Sequence, residues 1–256
     1  MYTPYPDVNA ILEQLLAEVR PILGEQFVGM ILHGSLVSGD FDPQKSDIDF
    51  VVVTAGELPA SMLSALEDMH MRLAAAYPKW GVELEGSYIP QQALRRYDSS
   101  QIEYPAIRRG EAFYPRKHGC DWVIQRHIIR TRGLALAGPA PQTLVDPVQP
   151  ADLREAAAEV MCDWDEWALQ PADKSHLQHS GYQAYMILTM CRVLHTLQHG
   201  AVASKPVAAR WAQETLGERW ATLIEQALTW QPGEPLNRLD ETLDFIRYTL
   251  ERSQVV

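Results

Sequence analysis

The chain has 256 residues, 46% hydrophobic and 21% charged, a balance that supports a substantial core and excludes a wholly disordered chain. Its 22 lysines and arginines stand against 33 acidic residues, a formal net charge of -11. Broad nucleic-acid binding is therefore not expected, because phosphate attraction would need a local basic patch working against the overall field. Cys120, Cys162 and Cys191 form neither a zinc-ligand spacing nor a disulfide framework, so a reducing cytoplasm is the expected setting. The opening MYTPYPDVN lacks the basic start and apolar run of a signal peptide, and no apolar stretch is long enough to span a bilayer.

Residues 8–23 place Val8, Ile11, Leu12, Leu15, Leu16, Val19 and Leu23 at helical spacing, with Pro6 and Asp7 at the start. Residues 27–33 form a β-rich run ending at Gly34, and residues 48–54 a second, strongly β-branched one. The polar stretch between them carries Gly39 and Pro43 and reads as a loop. A helix is expected over 61–77 through Met62, Leu66, Met69 and Leu73, then a third strand over 81–89. This order predicts an α+β or α/β domain. Beyond Tyr114, residues 121–132 are helix-like, and Gly138-Pro139-Ala140-Pro141, Asp146-Pro147 and Pro150 mark a boundary. The expected division is 1–148, a mixed domain, and 149–256, a helical one. In the latter, Leu153, Ala157, Val160, Met161, Trp164 and Ala168 make one apolar face, and Leu239, Leu243, Ile246 and Leu250 another.

Chemistry concentrates where Gly34-Ser35 is followed, after eleven intervening residues, by Asp47-Ile48-Asp49. In an extended segment Asp47 and Asp49 share a face with Cβ atoms roughly 6–7 Å apart, while Ile48, Phe50 and Val52 face a core. Two carboxylates there repel unless a cation or solvent takes the charge. A lone D-x-D is more often a solvated strand entrance. A Gly-Ser pair directly after a strand changes the balance, since glycine lets backbone N–H groups approach a phosphate and serine adds a hydroxyl. A third acid is expected from the next strand, where Glu83 and Glu85 alternate with Val82 and Leu84; a charged edge strand is the plainer alternative.

These residues resemble the polymerase-β-like nucleotidyltransferase superfamily, and within it the aminoglycoside adenylyltransferases that modify streptomycin and spectinomycin. Gly34-Ser35 and Ser46-Asp47-Ile48-Asp49 match the cradle and metal motifs, and Val82-Glu83-Leu84 is similar to the third-carboxylate strand, favouring Glu83 over Glu85. Leu136-Ala137-Gly138-Pro139-Ala140 resembles the interdomain junction. The resemblance implies an α+β fold: a nucleotidyltransferase domain with a mixed sheet, then an all-α bundle. It implies Mg2+ on Asp47, Asp49 and Glu83, ATP as co-substrate bound through Gly34, Ser35, Ser46, Arg192 and Lys205, and Glu83 taking a proton from the acceptor hydroxyl. Trp164 resembles a substrate-lining tryptophan. Gln178 and Tyr182 stand where acids would read the acceptor's cationic groups, leaving Asp165, Glu166 or Asp173 as substitutes; Glu85 and Tyr182 join Trp164 and Asp165 as candidate acceptor contacts.

The expected reaction moves AMP from ATP to a hydroxyl of a small cationic aminoglycoside-like acceptor and releases pyrophosphate. Rival readings are transfer to a protein or another metabolite, a glycosyltransferase using D-x-D for a sugar nucleotide, and a non-catalytic nucleotide-binding module. Arg192 and Lys205 are otherwise ordinary helix residues. His195 and His199 lack the glutamate of hydrolytic zinc helices and read as packed or surface histidines. The basic run Arg116-Lys117-His118 with Arg126 reads as a solvated face or as internal ion pairs.

Overall fold

The computed structural model describes residues 1–100, 103–108, 111–169 and 175–254, in two compact units, Met1–Pro147 and Val148–Val256. The first opens with α1 (Pro6–Leu23), started by a proline whose missing N–H costs nothing in a first turn. Asn9 pins the chain entry: its Oδ1 accepts from the Thr3 N–H at 2.8 Å and its Nδ2 donates to the Thr3 carbonyl at 2.8 Å. The seven apolar positions that define its helical face are all buried.

Then follow β1 (Phe27–Leu32), the single turn α2 (Ser35–Ser38), β2 (Ile48–Thr54), α3 (Ala60–Ala76), β3 (Leu84–Pro90), α4 (Gln91–Arg95), β4 (Glu103–Ile107), β5 (Tyr114–Lys117), α5 (Asp121–Arg132), β6 (Leu134–Ala137) and α6 (Pro141–Leu144). The strands form one mixed sheet in the order β5-β4-β3-β2-β1-β6, in which β2 and β3 run parallel and every other pair antiparallel. Alternation along β2 sorts its side chains between two cores. Phe50 and Val52 join Met30, Leu32 and Tyr88 beneath α1 and α3, whereas Val51 and Val53 join Ile31, Ile89, Trp122 and Ile129 on the other side. Gly86 lies in register with Phe50, and a Cβ there would come within 2.3 Å of the ring.

The third strand starts later than its alternation predicts. Residues 81–83 instead form a turn out of α3, in which the Gly81 N–H donates to Tyr77 and the Glu83 N–H to Trp80. Gly81 is needed there because a Cβ would sit 2.6 Å from the Ala74 α-carbon.

The second unit is helical: α7 (Pro150–Trp164), a π-helical turn over Asp165–Leu169, α8 (Ser180–His199), α9 (Lys205–Thr215), α10 (Glu218–Thr229) and α11 (Leu239–Ser253). A capping box joins Gln149 and Asp152 at the start of α7. Helix α8 is central, burying Met186, Ile187, Met190, Val193, Leu194 and Leu197. Its buried Gln183 donates to the Leu177 carbonyl at 3.1 Å and accepts from the Arg238 N–H at 2.8 Å, satisfying both ends of the amide. No helix among the described residues is long and apolar enough to cross a membrane.

Candidate active site

The end of β1 delivers the Gly-Ser turn against β2. The His33 N–H donates to the Asp49 carbonyl at 3.0 Å, and Gly34 then adopts φ +71°, a conformation that favours glycine. Its bare α-carbon faces the Asp49 carboxylate: a Cβ would lie 1.9 Å from Oδ2. The Ser38 hydroxyl donates back to the Gly34 carbonyl at 3.0 Å and closes the turn. Two buried polar atoms here, Ser35 Oγ and His33 Nδ1, have no hydrogen-bond partner among the described residues. Burying such groups costs about 1–3 kcal/mol each, so the turn is built for something that supplies hydrogen bonds. Burial alone pushes the His33 pKa down to about 4, against a small opposing effect of the Phe50 backbone, so the ring is neutral.

The loop before β2 is organised by Asp42. Its carboxylate accepts from the Gln44 N–H at 3.0 Å and its carbonyl from the Ser46 N–H at 2.8 Å, while Ser46 Oγ accepts from the Asp42 N–H at 3.0 Å. Asp42 is thus a turn residue, and the Ser46 hydroxyl proton is left to donate elsewhere. Asp47 directly precedes β2 and Asp49 is its second residue; both are half-buried.

The two candidate third acids part company. Glu85 is in β3, in parallel register with Asp49, and its carboxylate receives Arg116 Nη1. Glu83 sits in the preceding turn, its carbonyl accepting from the Ile48 N–H at 2.8 Å. Its side chain lines a pocket of about 350 Å³ with Pro43, Gln44, Ser46, Lys79 and Trp80.

No three His, Cys, Asp or Glu among the described residues are grouped so as to hold a metal ion by themselves. That donor set still suits magnesium, which takes one or two carboxylates and completes its shell with phosphate oxygens and water. Asp49 held against a glycine, with an unsatisfied serine hydroxyl one residue away, meets that requirement.

Apart from the exposed Lys117, the basic run is internal rather than solvated. Arg116 pairs with Glu85, His118 is buried with Nε2 3.0 Å from Ser87 Oγ, and the buried Arg126 donates to the Ala93 and Leu94 carbonyls at 2.7 and 3.1 Å. Residue spacing offered no signal for the contacts of Arg116 and His118, which span 31 positions.

In the helical unit, Trp164, Trp167, Tyr182 and Tyr185 form a continuous aromatic cluster, with ring centroids 5.0 to 6.2 Å apart. Lys205 Nζ lies 5.3 Å above the Tyr185 ring. The structure thus brings together Trp164, Tyr182 and Lys205, adding Trp167 and Tyr185, which residue spacing did not single out for binding. The Tyr182/Tyr185 spacing, three apart on one helix, was the available signal. Asp165 follows Trp164 in the π-helical turn, and Arg192 is half-buried on α8. Asp173 lies outside the described residues. His195 and His199 pack against Trp211, at 5.3 and 5.4 Å.

Comparison with known proteins matches residues 13–99 to the family described as a nucleotidyltransferase domain and residues 143–252 to that described as aminoglycoside adenylyltransferase, C-terminal domain. An aminoglycoside (3'') (9) adenylyltransferase of Rhizobium radiobacter is 28% identical, over 94% of this chain and 91% of its own. One from Shigella flexneri is 26% identical, over 94% and 93%, and a spectinomycin 9-adenylyltransferase of Staphylococcus aureus 26%, over 86% and 84%. A spectinomycin adenyltransferase from Enterococcus, solved with ATP and spectinomycin, superposes with a TM-score of 0.75 at 18% identity, over 96% of this chain and 99% of that one, and so shares the fold.

Proposed function

The chain belongs to the aminoglycoside adenylyltransferase family, and from that premise we propose that it transfers AMP from ATP to a hydroxyl of an aminoglycoside-like acceptor, releasing pyrophosphate. The observation that carries the reading is the contact of the Asp49 carboxylate with the Gly34 α-carbon, beside the unsatisfied Ser35 hydroxyl. It supports one compact place for both a phosphate and the cation that neutralises it.

Asp47 and Asp49 would hold Mg2+, whose chemistry is to offset triphosphate charge and stabilise the entering and leaving oxygens of an in-line displacement. The Gly34-Ser35 turn and the free proton of Ser46 bind phosphate oxygens. Arg192 and Lys205 bind the triphosphate and offset the charge of departing pyrophosphate.

The acceptor proton goes to Glu85, the acid in register with Asp49. A second reading gives that role to Glu83 and is favoured by its place in the pocket that Ser46 also lines. Glu85→Gln and Glu83→Gln separate the two: the variant of the true base loses turnover while retaining ATP binding. For the acceptor, Trp164 and Tyr182 offer aromatic faces to a sugar ring and Asp165 a nearby carboxylate, while the net charge of -11 attracts a cation.

The function is tested by incubating the protein with ATP, Mg2+ and a panel of aminoglycosides and related polyols, measuring pyrophosphate release and locating AMP by mass spectrometry. AMP on a panel compound supports the proposal. AMP on protein alone, or none at all, refutes it.

A further inference from the structure

A glutamate beside Asp49 has two reasons to move: a flexible side chain and a like-charged neighbour. The structure restrains it from an unexpected direction. Arg116 stands on β5, paired with Tyr104 of β4, and reaches across that strand so that Nη1 meets Glu85 Oε1. Both side chains are about three-quarters buried, at 29% and 22% exposure, which spares the contact much of the screening that weakens surface pairs.

A second rung fixes the first. Two residues further along each segment, Ser87 Oγ and His118 Nε2 lie 3.0 Å apart, both buried. The His118 ring stacks on Trp122 at 3.4 Å with planes 4° apart. Burial, then the charges of Arg126 and Arg116, push its pKa down to about 2, so it remains neutral and brings no second cation to the Glu85 carboxylate.

We propose that Arg116 is a positioning residue for Glu85: its guanidinium holds Oε1 in place and so fixes which carboxylate oxygen meets the acceptor hydroxyl. This rests on the assignment of Glu85 as proton acceptor. A guanidinium suits the task because its planar fork matches a carboxylate, whereas an ammonium sets no orientation.

The test uses Arg116→Ala, Arg116→Met and Arg116→Lys in the full chain, with Glu85→Gln alongside. Both neutral variants are expected to lose about 100-fold in kcat, the scale set by small misplacement of a reacting group. KM for ATP and calorimetric Mg-ATP affinity are expected to stay at wild-type values, while the melting temperature falls because the largely buried Glu85 carboxylate loses its partner. Low-millimolar guanidinium is expected to restore part of the Arg116→Ala activity, and Arg116→Lys to fall between. Wild-type kcat in both neutral variants, loss of Mg-ATP affinity, or failure of rescue in a folded Arg116→Ala overturns the proposal. Glu85→Gln keeps the two claims apart. If it is inactive while Arg116→Ala is fully active, only this inference falls; if it turns over normally, the assignment of the base falls and this inference with it.

Discussion

Gly34 and Asp49 touch across the end of the sheet, with no room between them for even a methyl group. Gly34→Ala meets two obstacles, a left-handed φ of +71° and overlap with Oδ2 at 1.9 Å. Strain of the first kind costs about 1–3 kcal/mol, and relief of the overlap displaces the carboxylate. The variant is expected to fold with a lowered melting temperature and to lose about 100-fold or more in kcat/KM for ATP. Wild-type kinetics would show that the contact has no catalytic weight.

Acid is expected to destabilise the nucleotidyltransferase unit through its buried histidines. His70 lies 2.8 Å from the Tyr88 hydroxyl, and burial, against a weak opposing effect of Glu18, pushes its pKa down to about 4; His118 is pushed down to about 2. Both are neutral in the folded chain but bind a proton near pH 6.5 when unfolded. Their stabilisation is full above pH 6.5 and is lost as pH falls, at about 1.4 kcal/mol per unit for each, with the His70 share levelling off below pH 4. Urea midpoints between pH 7.5 and 4.5 measure this. His70→Phe is expected to reduce the slope by one proton, and an unchanged slope would contradict the burial argument.

Gly86 packs against Phe50 in the strand that carries Glu85. Overpacking of such a contact costs about 1–3 kcal/mol, so Gly86→Ala is expected to lower stability and, by shifting β3, turnover as well. Thermal melts together with kcat test both parts, and a melting temperature at or above wild type would contradict the tight packing.

Arg192 supports the triphosphate in the proposed mechanism, so Arg192→Ala is expected to raise KM for ATP about tenfold or more, with KM for the acceptor much less affected. Trp164→Ala is expected to show the reverse pattern. Initial-rate kinetics varying each substrate distinguish the two, and an exchange of patterns would relocate both residues.

Helix α1 and strands β1 and β2 were legible because long apolar periodicity and β-branched runs report directly on burial. Strands β4 and β5 were not, since each carries a proline and the two, Pro105 and Pro115, face each other at the sheet margin where a missing N–H is tolerated. Strand β6 is only four residues long, and the single turn α2 was hidden in a polar loop. Gly34-Ser35 and Asp47-Ile48-Asp49 were readable as a candidate site because each sits at a strand end. The relation of Glu83 to Glu85 was not, because the exit from α3 takes residues 81–83 into a turn through backbone bonds that alternation does not reveal. The tie between Arg116 and Glu85 needed the sheet order itself.

Adenylyl transfer at the carboxylates around the start of β2 is tested most directly by parallel turnover of wild-type and Asp49→Asn protein. With Mg2+, ATP and a panel of cationic aminoglycosides, the wild-type chain is expected to release pyrophosphate in step with appearance of AMP on one panel compound. Asp49→Asn is expected to fold normally and do neither. Equal turnover by both proteins, or pyrophosphate release with no AMP on any panel compound, would contradict it.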